Sequence, residues 1–396
     1  MSSNTSHIWL EEPLSQDVHT TFSAVIETPQ KERRTLWFKI PNDHSDLAFY
    51  SPDAFAVANI FLMMKEGFPC HFHGNLSPSL LRNLAEFQSA WAVWRPERYK
   101  QVEIIPDTET EESVTNTRNH AIAAFSGGVD STFTVFRHTV GQCPKQWKRD
   151  VKTCLFVHGF DIPLHAGDAF ERALKPIQAT LETVGINLIT MSTNLQEFNI
   201  EWDDTHIAGL ASTLMLFKRS FNEGLIASGC AYGGLVIPWG SNPITDHLLS
   251  SSSFGIVHDG ASVKRLEKIK QLSEWSDGYD NLRICFSAQR RDENCGICAK
   301  CVMDILLTRM EGIRQSKAIP DLTEAKLACL EIPTAHQAIS FANLVRKARD
   351  KGIKDSWVRV LEKRISEIER AKSKDKKPIH HIGKLFKRMV GSSLNE

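Results

Sequence analysis

The sequence predicts an α/β protein: a parallel-sheet domain with helices on both faces, preceded by an α+β domain and followed by a helical region. Three observations predict it. From residue 119 short apolar runs alternate with amphipathic stretches of helical period, before residue 107 the two periods are mixed, and beyond Asp321 only the helical period persists.

In the first 106 residues, Thr20–Ile26 and Thr35–Ile40 read as two strands joined by a charged turn around Lys31–Arg34, and Gln101–Ile105 reads as a third. Pro52–Glu66 and Pro78–Trp94 have the apolar spacing of helices. Cys70-His71-Phe72-His73 is read as a strand end with ordinary histidines in preference to a metal set. Residues 107–118 are acidic, rich in Thr and poor in large apolar side chains, the composition of a linker. Strands are then expected at Ala121–Phe125, Thr153–His158, Asn187–Met191 and Gly234–Ile237. Helices are expected at Asp130–His138, Ala166–Val184 and Thr205–Phe221. This βαβ order calls for parallel strands, whose carboxyl ends carry ligands. The domains expected are 1–106, 119–310 and 311–396, the last with helices at Ala335–Asp350 and Ser356–Ala371 and a basic tail.

Bulk composition narrows the function. Hydrophobic residues make up 42% and charged residues 24% of 396, enough for a sizeable core, and the formal net charge is zero, so no whole-molecule field draws the chain to nucleic acid or membrane. The ends differ: residues 1–118 carry 10 Lys/Arg against 16 Asp/Glu, and residues 341–396 carry 16 against 7. No secretory leader or membrane-spanning run is read, so the expected compartment is the cytoplasm.

Ser126-Gly127-Gly128-Val129-Asp130-Ser131 follows an apolar strand and opens a helix. Two glycines allow a tight turn that brings backbone N–H groups against an anion, and the helix N-terminus adds partial positive charge at the same point. Ser126 and Ser131 can donate to phosphate oxygens, whereas the anionic Asp130 suits Mg²⁺ or bracing of the loop. The plainer reading is a Gly-rich turn with a capping serine. Farther on, Cys285, Cys295, Cys298 and Cys301 have the C-x9-C-x2-C-x2-C spacing of a closed four-thiolate site, structural Zn²⁺ being preferred over an iron–sulfur cluster. The other cysteines, at 70, 143, 154, 230 and 329, read as buried packing residues.

Ser-Gly-Gly-x-Asp-Ser resembles the PP-loop of the ATP pyrophosphatases, which cleave ATP between the α and β phosphates. Together with the downstream Cys…Cys-Gly-x-Cys-x2-Cys group, it resembles the 7-cyano-7-deazaguanine synthase family of queuosine biosynthesis over about residues 119–310. The resemblance implies an adenine nucleotide alpha hydrolase-like, Rossmann-like fold with ATP, Mg²⁺ and zinc. It implies ligase chemistry in which a carboxylate, 7-carboxy-7-deazaguanine or similar, is adenylated and then attacked by an amine. The extra terminal segments make the layout similar to the enlarged relatives in anti-phage operons such as Qat and type IV CBASS, which implies a protein or peptide acceptor.

Further positions follow from the resemblance. Asp161, ending the second strand of the domain, matches groups around the adenosine; the alternative is a turn Asp. His206 stands where the family has an Arg-Asn pair, next to Thr205, read as a helix cap. Trp239, Ser241, Asn242 and Asp246 lie where the family has a substrate loop and could stack on and hydrogen-bond a planar ring; a Trp covering the core is the bland reading. Lys268 matches a family Lys that neutralises leaving pyrophosphate, with a solvated helix face as alternative. ATP-binding is thus expected at Ser126–Ser131 and Asp161, and catalysis at Asp130, Ser131 and Lys268. The rivals are a tRNA-modifying enzyme of the same loop type, with the basic tail holding RNA, and a non-catalytic ATP sensor.

Overall fold

Alternation of apolar and polar residues near the N-terminus builds an antiparallel meander, β1 (Ser6–Gln16), β2 (His19–Glu27) and β3 (Arg33–Pro41). The computed structural model describes residues 4–112, 120–198, 200–285, 291–332 and 335–374, so most of the basic tail lies outside the described residues. Helix α1 (Pro52–Glu66) has its proline in the first turn and stops at Gly67, whose φ of 71° suits a residue without Cβ. Strand β4 (Cys70–Leu76), helix α2 (Pro78–Trp94) and strand β5 (Ile104–Glu109) follow. Both helices fall where the apolar spacing places them.

The alternating segment comprises β6 (His120–Ala124), α3 (Val129–His138), β7 (Asp150–His158), α4 (Gly167–Glu182), β8 (Asn187–Thr193), α5 (Trp202–Met215), β9 (Glu223–Ala227), β10 (Gly255–Asp259), α6 (Arg265–Leu272) and α7 (Ser276–Tyr279). Its five strands run parallel to one another. No strand forms at Gly234–Ile237: Tyr232–Gly234 is a 3-10 turn and Val236 is 53% exposed. The strand falls at β9 instead, where Gly224 has the side chains of Leu214 and Phe254 3.0 Å from the position of a Cβ. Close packing thus places a poor strand former inside a strand. Thr205 lies within the first turn of α5 and is not its cap, because the helix already starts at Trp202.

All ten strands form one sheet in the order β10-β9-β6-β7-β8-β3-β2-β1-β4-β5. The joint between the parallel strands and the meander is the antiparallel pair β8–β3, with Phe38 opposite Thr193 and Lys39 opposite Ser192. One compact unit therefore spans residues 1–293, and the apolar core runs without a break from Ile8 to Ile256. The expected boundary at residue 106 falls inside β5. In the expected linker, Glu111 accepts from Ser79 and Ser252, and Glu112 meets Lys218 at 2.8 Å. The second compact unit, residues 294–396, contains α8 (Ala299–Met310), α9 (Glu324–Ala328), α10 (Ala335–Asp350) and α11 (Ser356–Lys374), with α11 packed on α9 and α10.

Lys218 follows α5 and has no exposed side-chain surface. Its Nζ lies 2.9 Å from Asp53 on α1, whose carboxylate also accepts from the Ser77 amide and hydroxyl. Removing one member of a buried pair strands the other charge. Asp53→Ala is expected to lower unfolding free energy in urea by about 3–5 kcal/mol, and the double variant Asp53→Ala/Lys218→Met to recover part of the loss.

Candidate functional site

The chain leaves β6 toward β7 and β8 and returns on the other side as β9 and β10, so the strand order reverses between β6 and β9. In an open parallel sheet, the crevice at the carboxyl ends beside such a reversal is where ligands bind. Ser126–Ser131 follows β6 into this crevice, and Ser228 enters it after β9.

The turn after β6 is made by Gly127 at φ 74°, where a Cβ would also approach Ile177 to 3.3 Å. Helix α3 then begins without a side-chain cap. Ser131 Oγ accepts from the Ser126 amide at 3.2 Å and lies 3.3 Å from Ser126 Oγ, so both hydroxyls sit inside the turn. The capping-serine reading therefore does not describe the loop; Ser126 spans it and leaves the helix end without a cap.

Three cations from distant sequence positions converge on this loop. Asp130, in the first turn of α3, is held by Arg265 Nη1 and Lys268 Nζ, each at 2.9 Å. Lys268 is only 2% exposed and also donates to the Ser228 carbonyl, so it does not belong to a solvated helix face. Arg283 closes the other side: its amide donates to Gly127 O at 2.7 Å, its Nε to Ser126 O at 3.1 Å, and its Nη2 to Asp161 at 3.1 Å. Loop, Asp130, Lys268 and Asp161 thus lie in one hydrogen-bonded group with Arg265 and Arg283. Arg265 and Arg283 were missed, because nothing local to Arg283 betrays a contact with a loop some 150 residues earlier. A concavity lined by Phe136, Val140 and Trp275, toward the far end of α3, is separate from this group.

No protein-family model, curated protein or solved structure matches the chain.

The loop before β10 forms a second group. Asn242 is buried with its polar atoms turned to its own loop: it donates to Trp239 O and Thr245 Oγ1 and accepts from the amides of Ile244 and Thr245. Asp246 has no exposed side-chain surface and accepts from the Asn242 amide, Ser241 Oγ and His258 Nδ1, each at 2.7 Å. Both residues brace the loop, whereas Trp239 stays half-exposed, its ring 5.6 Å from that of His206. His258 was missed as well. Its side chain is 7% exposed, and its Nε2 makes no hydrogen bond among the described residues. A carboxylate accepting from Nδ1–H fixes the orientation of the ring against the loop. His258 and the adjoining Asp259 point to opposite faces of β10, since Asp259 instead meets Thr134, Arg137 and His138 on α3.

His206 lies under Gly240, where a Cβ would stand 2.4 Å from the imidazole, and its Nδ1 faces the Trp202 carbonyl at 3.0 Å. Burial lowers its pKa, outweighing that hydrogen bond and the neighbouring carboxylates. The residue is a neutral packing partner of the loop at neutral pH.

The sulfurs of Cys285, Cys295, Cys298 and Cys301 all lie within 4.8 Å of one another. Thiolates about 2.3 Å from one tetrahedral zinc would stand about 3.8 Å apart; Cys295 and Cys301 Sγ are 4.0 Å apart. The Cys298 amide points at Cys295 Sγ (3.3 Å) and the Cys301 amide at Cys298 Sγ (3.5 Å), while Gly296 makes the turn at φ 69° against Pro320. The cluster can hold a metal ion, and its geometry fits zinc. The remaining cysteines do not all pack inside: Cys70 and Cys154 are buried, Cys143 is partly so, and Cys230 and Cys329 are exposed. Short apolar contexts do not separate a loop thiol from a core thiol. Among the described residues no helix is long and apolar enough to cross a membrane.

Two outcomes are expected. Elemental analysis of protein equilibrated with Zn²⁺ finds a tightly held ion that Cys298→Ser/Cys301→Ser loses. The lowered His206 pKa means that the unfolded chain takes up a proton first, so stability is full above about pH 6.5 and falls as pH drops from there through the folded value. His206→Gln flattens that part of the pH profile of urea unfolding.

Proposed function

We propose that this chain is an ATP-dependent ligase that adenylates a carboxylate and transfers the acyl group to an amine. The observation that carries the reading is the convergence of Arg265, Lys268 and Arg283 on a double-glycine turn before an uncapped helix, at the reversal point of a parallel sheet. The Ser-Gly-Gly-x-Asp-Ser resemblance gives the chemistry its class.

In this reading the β and γ phosphates of Mg·ATP lie over Ser126–Ser131, accepting from the first amides of α3. Asp161 lies toward the ribose. A carboxylate oxygen of the substrate attacks the α-phosphorus, and the bond to the bridging oxygen breaks. The acyl-adenylate remains while pyrophosphate leaves into the cationic loop. Lys268 and Arg265, preorganised by Asp130, offset the charge that develops on the leaving group, a stabilisation worth about 2.7–4 kcal/mol for one well-placed donor. An amine then attacks the acyl carbon, its proton passes to solvent, and AMP departs.

The substrate class favoured by the resemblance is 7-carboxy-7-deazaguanine or a similar planar carboxylate, with ammonia or a protein amine as acceptor. The exposed side chains of Tyr232, Val236, Trp239 and Ile244 offer a rim on which such a ring or a partner peptide can stack. Bound zinc would be structural, since four thiolates close its shell. Queuosine-type metabolism and anti-phage defence are the biological settings that the resemblance implies. A thiolating role is less well supported. The cysteines with convergent spacing are those of the four-sulfur cluster, which a bound ion would occupy.

Purified protein with Mg·ATP, 7-carboxy-7-deazaguanine and ammonia is expected to form AMP and pyrophosphate only when the carboxylate is present. Lys268→Met is expected to slow this about 10²-fold or more. ATP binding without AMP formation from any carboxylate tested would return the chain to the sensor reading.

A further inference from the structure

A second cluster of metal-ligating side chains lies at the other half of the sheet, on β1, β4 and β5. In the parallel register of β1 with β4, His7 stands opposite His71 and Trp9 opposite His73; in that of β4 with β5, His71 stands opposite Ile105. Period-two alternation puts His7, Trp9, His71, His73 and Asp107 on one face. The three histidines each bring a ring nitrogen within 4.8 Å of the others.

The geometry points to a divalent transition-metal site formed by His7, His71 and His73 and oriented by Asp107. Two imidazole nitrogens on one tetrahedral ion at about 2.0–2.1 Å stand about 3.4 Å apart, and His7 Nδ1 and His73 Nε2 are 3.1 Å apart across 66 residues of sequence. Their ring planes differ by 12°, and the two nitrogens share a hydrogen bond that a bound ion would replace. Asp107 Oδ1 stands 3.0 Å from His71 Nε2 and 3.7 Å from His73 Nδ1, the nitrogen of His73 turned away from His7. A carboxylate on the far nitrogen of a ligating imidazole fixes its tautomer and raises its basicity. Trp9 stacks on His73 at 4.8 Å and 2°, and the Arg33 guanidinium lies over Trp9 at 5.5 Å, so His73 is held by packing as well. All three histidines are partly exposed, so an ion has access without rearrangement of the core.

Imidazole and carboxylate donors select Zn²⁺, Co²⁺, Ni²⁺ or Cu²⁺ over Mg²⁺ and Ca²⁺. Three nitrogen ligands leave an open position, unlike the closed four-thiolate cluster. Such an ion would tie the N-terminal strand to β4. It makes no contribution to the proposed ligase chemistry, so the two ideas stand or fall separately.

The test titrates the full chain, stripped of metal, with Co²⁺ or Zn²⁺ alone, in wild type, in His7→Gln/His71→Gln/His73→Gln and in Cys298→Ser/Cys301→Ser. Wild type is expected to show two classes of site. One class gives thiolate-to-cobalt charge transfer and is lost in the cysteine variant. The other gives only ligand-field bands of a nitrogen and oxygen shell and is lost in the histidine variant. Asp107→Asn is expected to weaken the second class about 10–100-fold. Circular dichroism of the metal-free histidine variant, unchanged from wild type, separates loss of ligands from loss of fold. A second class that survives the triple substitution, or a wild type with the thiolate class alone, overturns the site.

Discussion

The structure turns on a charge with no access to water. Lys218 comes from the chain just beyond α5, Asp53 from the first turn of α1, and the two meet where the meander half of the sheet adjoins the parallel half. Burying an ammonium is costly without an anion at hydrogen-bonding distance, so α1 and α5 have one relative placement that satisfies both. That placement in turn aligns β3 with β8, a joint of only two residue pairs. Glu112 adds a second carboxylate to the same ammonium.

On the parallel half, carboxylates serve the opposite end. Asp130, Asp161 and Asp259 each hold arginine, lysine or histidine side chains in place around the ends of β6, β7 and β10. Burial pushes the Asp259 carboxyl up, but the His138 hydrogen bond and the Arg137 charge outweigh it and hold the group below its usual value. These side chains are therefore fixed in orientation by the carboxylates beside them.

Much of this was legible where the signal is local. Pro52 and Gly67 mark α1, Pro78 marks α2, and the Ser126–Ser131 loop and the four cysteines announce themselves by spacing. What was not legible depends on partners far away. Glu111 and Glu112 look like solvated linker acids until Ser79, Ser252 and Lys218 are seen beside them. β9 hides behind Gly224, whose missing side chain makes room for Leu214 and the ring of Phe254. His258 and Arg283 have nothing around them in sequence that names Asp246 or Gly127. Asn242 and Asp246 were read as groups that hydrogen-bond a substrate ring, whereas closing a polar loop over a sheet turned them inward.

The seam between β8 and β3 also bears on how the chain can be divided. A chain beginning near residue 119 would keep all five parallel strands and the loop after β6, yet it would lay bare the outer edge of β8. The face of α5 that α1 covers would be stripped as well, with Lys218 left beside it and no anion. An open strand edge next to an uncovered apolar helix is a template for association with other chains. The first hundred residues thus cover a strand edge and a helix face that the parallel half would otherwise turn to water.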